Sequence, residues 1–87
     1  MNITHMREFL TLIEHSSYAS AAKKLYISQP TLSRHVNALE NEIGEQLLNR
    51  SQRSISLTEG GQVAVTAFRT ILKTVDDLAD NVSVKAS

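Results

Sequence analysis

Leu32, Val36, Leu39 and Ile43 follow one another at intervals of four, three and four residues. At about 100° per residue they fall on one narrow stripe of a helix. Pro30, Thr31, Arg34, Asn37, Ala38 and Asn41 then face the other way, and that side carries no acidic residue. Ser28 is a good N-cap, and Pro30 falls in the first turn, where its missing N–H costs little. The spacing predicts a helix over residues 28–43 with two separate duties. One face buries against a core. The other offers hydrogen bonds and one fixed positive charge, a division suited to a DNA groove.

The preceding residues give that helix its setting. Ile3, Met6, Phe9, Leu10 and Ile13 keep a helical apolar spacing, which predicts a first helix over 3–15 with Thr4 as its cap. Ser17 can cap a short second helix over 18–25, with Tyr18, Ala21, Ala22 and Leu25 on its inner face and Lys23 and Lys24 outside. Only Tyr26 and Ile27 separate it from Ser28. Two helices joined so tightly, the second amphipathic and basic on its free face, form a helix-turn-helix pattern.

Gly44 supplies a left-handed C-cap for the third helix. Ile55-Ser56-Leu57 alternates as a half-buried strand does, which predicts a hairpin with strands at 48–50 and 55–57. This hairpin would be the wing of a winged helix-turn-helix, with Arg50 at its base and Arg53 at its tip. Thr58 and Glu59 open a fourth helix. Gly60 and Gly61 in its first turn point to a close backbone approach there. Ala64, Phe68, Ile71, Val75, Leu78 and Val82 then continue a stripe in steps of four and three. The expected fold is mainly α: a three-helix core with a short two-stranded wing over residues 1–57, then a long dimerisation helix over 58–87.

The overall formal charge is zero, so bulk charge points to no partner. Its distribution does. No Asp or Glu occurs from His15 to Leu39, where Lys23, Lys24 and Arg34 lie, nor from Gln46 to Thr58, where Arg50 and Arg53 lie. A neutral chain can hold a local positive surface this way. Without cysteine there is no disulfide or thiolate metal site. His5, His15 and His35 are scattered without a paired acidic ligand and suggest no zinc. The expectation is therefore no metal and no cofactor. No apolar run approaches the roughly 20 residues that span a membrane, and Met1 to His5 lack the character of a signal peptide. A cytoplasmic location follows as the default. No carboxylate pair, Ser/His/Asp arrangement or phosphate-cradling glycine loop marks an enzyme. Two classes stay open: a sequence-specific DNA reader, and a protein-interaction module using the same helices.

With these residues in view, the chain resembles the N-terminal DNA-binding domain of LysR-type transcriptional regulators. The resemblance runs through Phe9-Leu10, Ser17-Tyr18-Ala19-Ser20-Ala21-Ala22-Lys23-Lys24-Leu25, and Ile27-Ser28-Gln29-Pro30-Thr31-Leu32-Ser33-Arg34. It continues in Leu39-Glu40, Ile43-Gly44, Leu47-Leu48-Asn49-Arg50, Arg53 and Leu57-Thr58-Glu59-Gly60-Gly61. Departures are Ser16 for a frequent glycine, His35 for glutamine, Leu48 for phenylalanine, Asn49 for glutamate, and Gly60 for alanine or proline. Full-length members of that family carry a larger effector-binding domain beyond the linker helix.

The resemblance implies a homodimeric regulator that reads double-stranded DNA. At the matched positions, Gln29 can hydrogen-bond a base edge, adenine best. Pro30 and Thr31 can meet a thymine methyl, while Ser33 and Arg34 can hold phosphate or a base edge. His35, on the flank of the helix, would favour a phosphate when protonated. Arg50 and Arg53 suit phosphate and the narrow minor groove. Phe68, Ile71, Val75, Leu78 and Val82 would form the dimer, with higher oligomers open to a full-length protein. A two-fold protein calls for an inverted-repeat operator with half-sites about one helical turn apart or a little more.

Overall fold

The structure, a computed structural model, describes residues 1–50 and 54–86, with side chains as far as Ser83. Four helices follow in order: α1 (Ile3–His15), α2 (Tyr18–Leu25), α3 (Gln29–Ile43) and α4 (Glu59–Ala86). Helices α1, α2 and α3 pack on one another, and α4 packs back on α1.

Local chemistry sets most helix ends. Ser17 and Ser28 cap α2 and α3, accepting from the Ser20 and Thr31 amides. The cap of α1 is Asn2, not Thr4: its Oδ1 accepts from the Thr4 and His5 amides at 2.7 and 3.2 Å. Asparagine reaches the orphan amides as well as threonine does, and the chain turns into the helix two residues earlier than the threonine suggested. Three helices end in the left-handed region, at Ser16 (φ 54°), Tyr26 (φ 58°) and Gly44 (φ 82°). Ser16 thus holds a conformation that favours glycine, at the position where the resembled family often has glycine.

The core is built from Met6, Phe9 and Leu12 of α1, Ala21 and Ala22 of α2, and Leu32, Val36 and Leu39 of α3. Leu47 and Leu48 join it from the segment after α3, and Ala64, Phe68 and Leu72 from α4. Leu32, Val36 and Leu39 are completely or almost completely buried, each worth about 1.5–3 kcal/mol of transfer free energy. Ile43, the last residue of the stripe, lies at the rim and is exposed.

Two expectations change here. Phe68 does not belong to an exposed stripe. Its ring meets Phe9 edge-on at 5.9 Å and 88° and is only 2% exposed, because α4 packs back on α1. The wing is also shorter than two strands. Among the described residues it is one antiparallel bridge, Leu48 with Leu57. Two backbone bonds flank the bridge, from the Asn49 amide to Ser56 and from the Thr58 amide to Leu47. Arg53 lies outside the described residues.

The start of α4 is pinned to the segment before the wing. Thr58 Oγ1 donates to the Gln46 carbonyl at 2.6 Å and accepts from the Gly61 amide at 2.9 Å, the N-cap expected of it. A Cβ on Gly61 would stand 2.1 Å from the Leu47 carbonyl oxygen. The close approach inferred from the glycine pair thus belongs to Gly61. Gly60 has ordinary clearance, 3.5 Å to its nearest neighbour. Further along, Arg7 of α1 and Asp76 of α4 pair at 2.8 Å.

Candidate nucleic-acid interface

The outward side of α3 holds most of the predicted reading residues. Gln29, Pro30 and Arg34 are exposed, while Thr31 and Ser33 are half-buried. The first turn is wired internally. Ser28 Oγ accepts from the Thr31 amide at 3.2 Å and donates to Thr31 Oγ1 at 2.8 Å. The same Thr31 oxygen accepts from the Arg34 guanidinium at 3.1 Å. Thr31 therefore steadies Arg34, and its hydroxyl is engaged within the chain. Gln29, Pro30 and Ser33 join Tyr18 and Arg50 around an open concavity of about 580 Å³.

Arg50 sits where the wing begins, and its guanidinium turns back to α3. It donates to Asn37 Oδ1 at 2.9 Å and to Glu40 Oε1. Its charge is matched by a carboxylate, so its first duty is to hold the wing against the helix. The sequence did not reveal the importance of Glu40. This side chain is buried at the end of the core stripe, and its other oxygen accepts from the Leu47 and Leu48 amides at 2.8 and 3.4 Å. A buried carboxylate needs such partners. The signal was faint: one acid beside Leu39, followed ten residues later by an arginine in an acid-free window.

His35 takes the opposite flank of α3. The ring faces α1 instead of the free surface, and its Nδ1 lies 2.6 Å from Glu8 Oε1. His5 stacks on it, centroids 4.1 Å apart and planes 22° from parallel. At about 200° around the helix from Ser33, the ring is engaged by a buried carboxylate on the side where α1 lies. The histidines are not all scattered either. Two of the three converge with an acid, because α1 and α3 cross at this point. His15 stays apart and bonds Ser20 Oγ at 2.9 Å.

On α4, Ile71, Leu78 and Val82 are exposed and Val75 is half-buried, as the stripe predicts for all but Phe68. No helix among the described residues is long and apolar enough to cross a membrane.

Residues 3–62 match the family model described as bacterial regulatory helix-turn-helix protein, lysR family. The dual regulator OxyR of Escherichia coli K12 is 37% identical over 83 residues, which are 95% of this chain and 27% of that protein. The chain thus spans about a quarter of the length of such relatives. Among solved structures, the BenM DNA-binding domain on catB site 1 DNA superposes with a TM-score of 0.93 at 37% identity. It covers all of this chain and 98% of its own. The CbnR DNA-binding domain in complex with DNA gives 0.92 at 34% identity, with each chain covered completely.

Proposed function

Since the chain belongs to the lysR family of bacterial regulatory helix-turn-helix proteins, we propose that it is the DNA-reading part of a transcription regulator that acts in the cytoplasm as a homodimer. The observation that carries this reading is the outward side of α3. Gln29, Pro30 and Arg34 are exposed on a fold whose BenM and CbnR counterparts are solved on DNA. Gln29 reads a base edge in the major groove, with Pro30, Thr31 and Ser33 beside it. Arg34, held by Thr31, anchors on phosphate. Arg50 braces the wing, and Arg53 meets backbone or minor groove.

The dimer forms through the later part of α4, where Ile71, Val75, Leu78 and Val82 leave an apolar strip for a second copy. Residues 1–57 act as the winged reader and 58–87 as the linking helix. Two readers related by a two-fold axis require an inverted-repeat site.

Selection of bound sites from random duplexes, followed by affinity measurements across salt, tests this reading. Log K should fall linearly with log salt as counterions leave the phosphates. Gln29→Ala should lose about 1–3 kcal/mol and relax preference at one position of each half-site. Arg34→Ala should weaken all sequences alike and flatten the salt slope by about one unit. A salt-independent affinity without sequence preference would make the chain a protein-interaction module instead.

A further inference from the structure

We propose that His5, Glu8 and His35 form a binding site for a divalent transition metal of the zinc type, clamping α1 to the middle of α3. Each residue offers one ligand atom, and these atoms lie within 4.8 Å of one another. Two imidazoles and one carboxylate form a donor set that zinc accepts, with water in the fourth position. A tetrahedral ion with bonds of roughly 2.0–2.2 Å holds its ligand atoms about 3.3 Å apart. The observed cluster brackets that spacing, from 2.6 Å between His35 Nδ1 and Glu8 Oε1 up to the outer limit. To share an ion with His35 the His5 ring has to turn out of the stack about χ2, a broad torsion for imidazole.

Two further observations favour an ion over a purely structural cluster. His5 Nδ1 is buried and has no hydrogen-bond partner among the described residues. Buried polar atoms rarely stay unpaired, and a metal is one of the partners that satisfies them. Glu8 is 6% exposed, so its charge sits where water cannot screen it well. An ion takes the place of the hydrogen between His35 Nδ1 and Glu8 Oε1: a neutral His35 keeps its proton on Nε2, and a protonated one loses one proton to solvent. The bound ion joins Ile3–His15 to Gln29–Ile43 on the flank of α3 away from Ser33.

The test uses the untagged 87-residue chain with Zn²⁺ and Co²⁺ alone. One Co²⁺ per chain should bind with the intense visible absorption of a four-coordinate site, and Zn²⁺ should displace it. Zn²⁺ should raise the thermal midpoint by several degrees, because an ion that binds only the folded chain stabilises it. His5→Gln and His35→Gln should each weaken binding by more than about tenfold, whereas His15→Gln should leave it unchanged. A second measurement on the wild type guards against a variant that fails to fold. Zn²⁺ should shift the imidazole NMR signals of His5 and His35 and leave those of His15 in place. Equal shifts at all three histidines, or Co²⁺ affinity equal in the three variants, would overturn the proposal.

Discussion

The two halves of α4 carry the same apolar spacing and meet opposite fates. In the first half, Ala64, Phe68 and Leu72 vanish into the core against α1. In the second, Leu78 and Val82 stay more than half exposed. Helix α4 is 28 residues long, about 42 Å at 1.5 Å per residue, whereas α1 has only 13 residues to lie along. The stripe therefore outruns the surface that can cover it, and a periodic pattern does not say where that happens. Apolar spacing establishes that a face wants burial; the length of the neighbouring element decides whether the same chain provides it.

The sharpest way to break this comparison is Phe68→Ala. If the first half of α4 is core, deletion of this ring should destabilise the chain by about 3–5 kcal/mol in urea unfolding followed by circular dichroism. A loss below about 1 kcal/mol would place Phe68 with the exposed half.

Gly61→Ala should come next, costing about 1–3 kcal/mol, since the added methyl group meets the Leu47 backbone and no flexible side chain can yield. Gly60→Ala, made in parallel, should be neutral or slightly stabilising, because the helix gains propensity without a clash.

The junction between the halves is the exposed Arg7–Asp76 pair. Asp76→Ala should cost about 0.2–1 kcal/mol, and less at high salt, as solvent-exposed ion pairs do. A larger effect would mean that the pair fixes the direction of α4.

The smallest effect on the fold belongs to the exposed half. Leu78→Asp should leave the unfolding free energy of the isolated chain within about 0.5 kcal/mol. Sedimentation should nevertheless show the dimer dissociating, and affinity for a two-half-site duplex should fall to that for one half-site. A wild-type chain that is monomeric at high micromolar concentration would remove the contrast between the halves as far as partners are concerned.

Much of the architecture was legible because its causes are local. Ser17, Ser28 and Gly44 end helices through bonds and backbone angles confined to a few neighbouring residues. The stripe from Leu32 to Leu39 needed only its own spacing to define an inner and an outer side of α3, and that placed Gln29 and Arg34 correctly on the outside. The wing was legible as a reversal between Leu48 and Leu57, though not as two full strands.

Apart from the Asn2 cap, the features that sequence reasoning missed depend on pairs more distant along the chain. Glu40 meets Arg50 and two amides beyond the end of its helix. His35 meets Glu8 across 27 residues, and Phe68 meets Phe9 across 59. A flank position on a helix can turn to solvent, to DNA or to another helix, and its own sequence window holds no information about which.

Sequence alone determined the order of the helices, the caps at Ser17, Ser28, Gly44 and Thr58, the buried stripe of α3 and the family to which the chain belongs, because periodicity and capping act over one or two turns. Tertiary structure decided which charges are free and which are spent within the chain. It took Arg50 and His35 off the list of simple surface contacts, assigned Phe68 to the core and brought two histidines to one carboxylate. The physical reason is that hydrogen bonding and burial reward whatever groups the crossing of two helices happens to bring within about 3 Å. That crossing is set by the packing of the whole core.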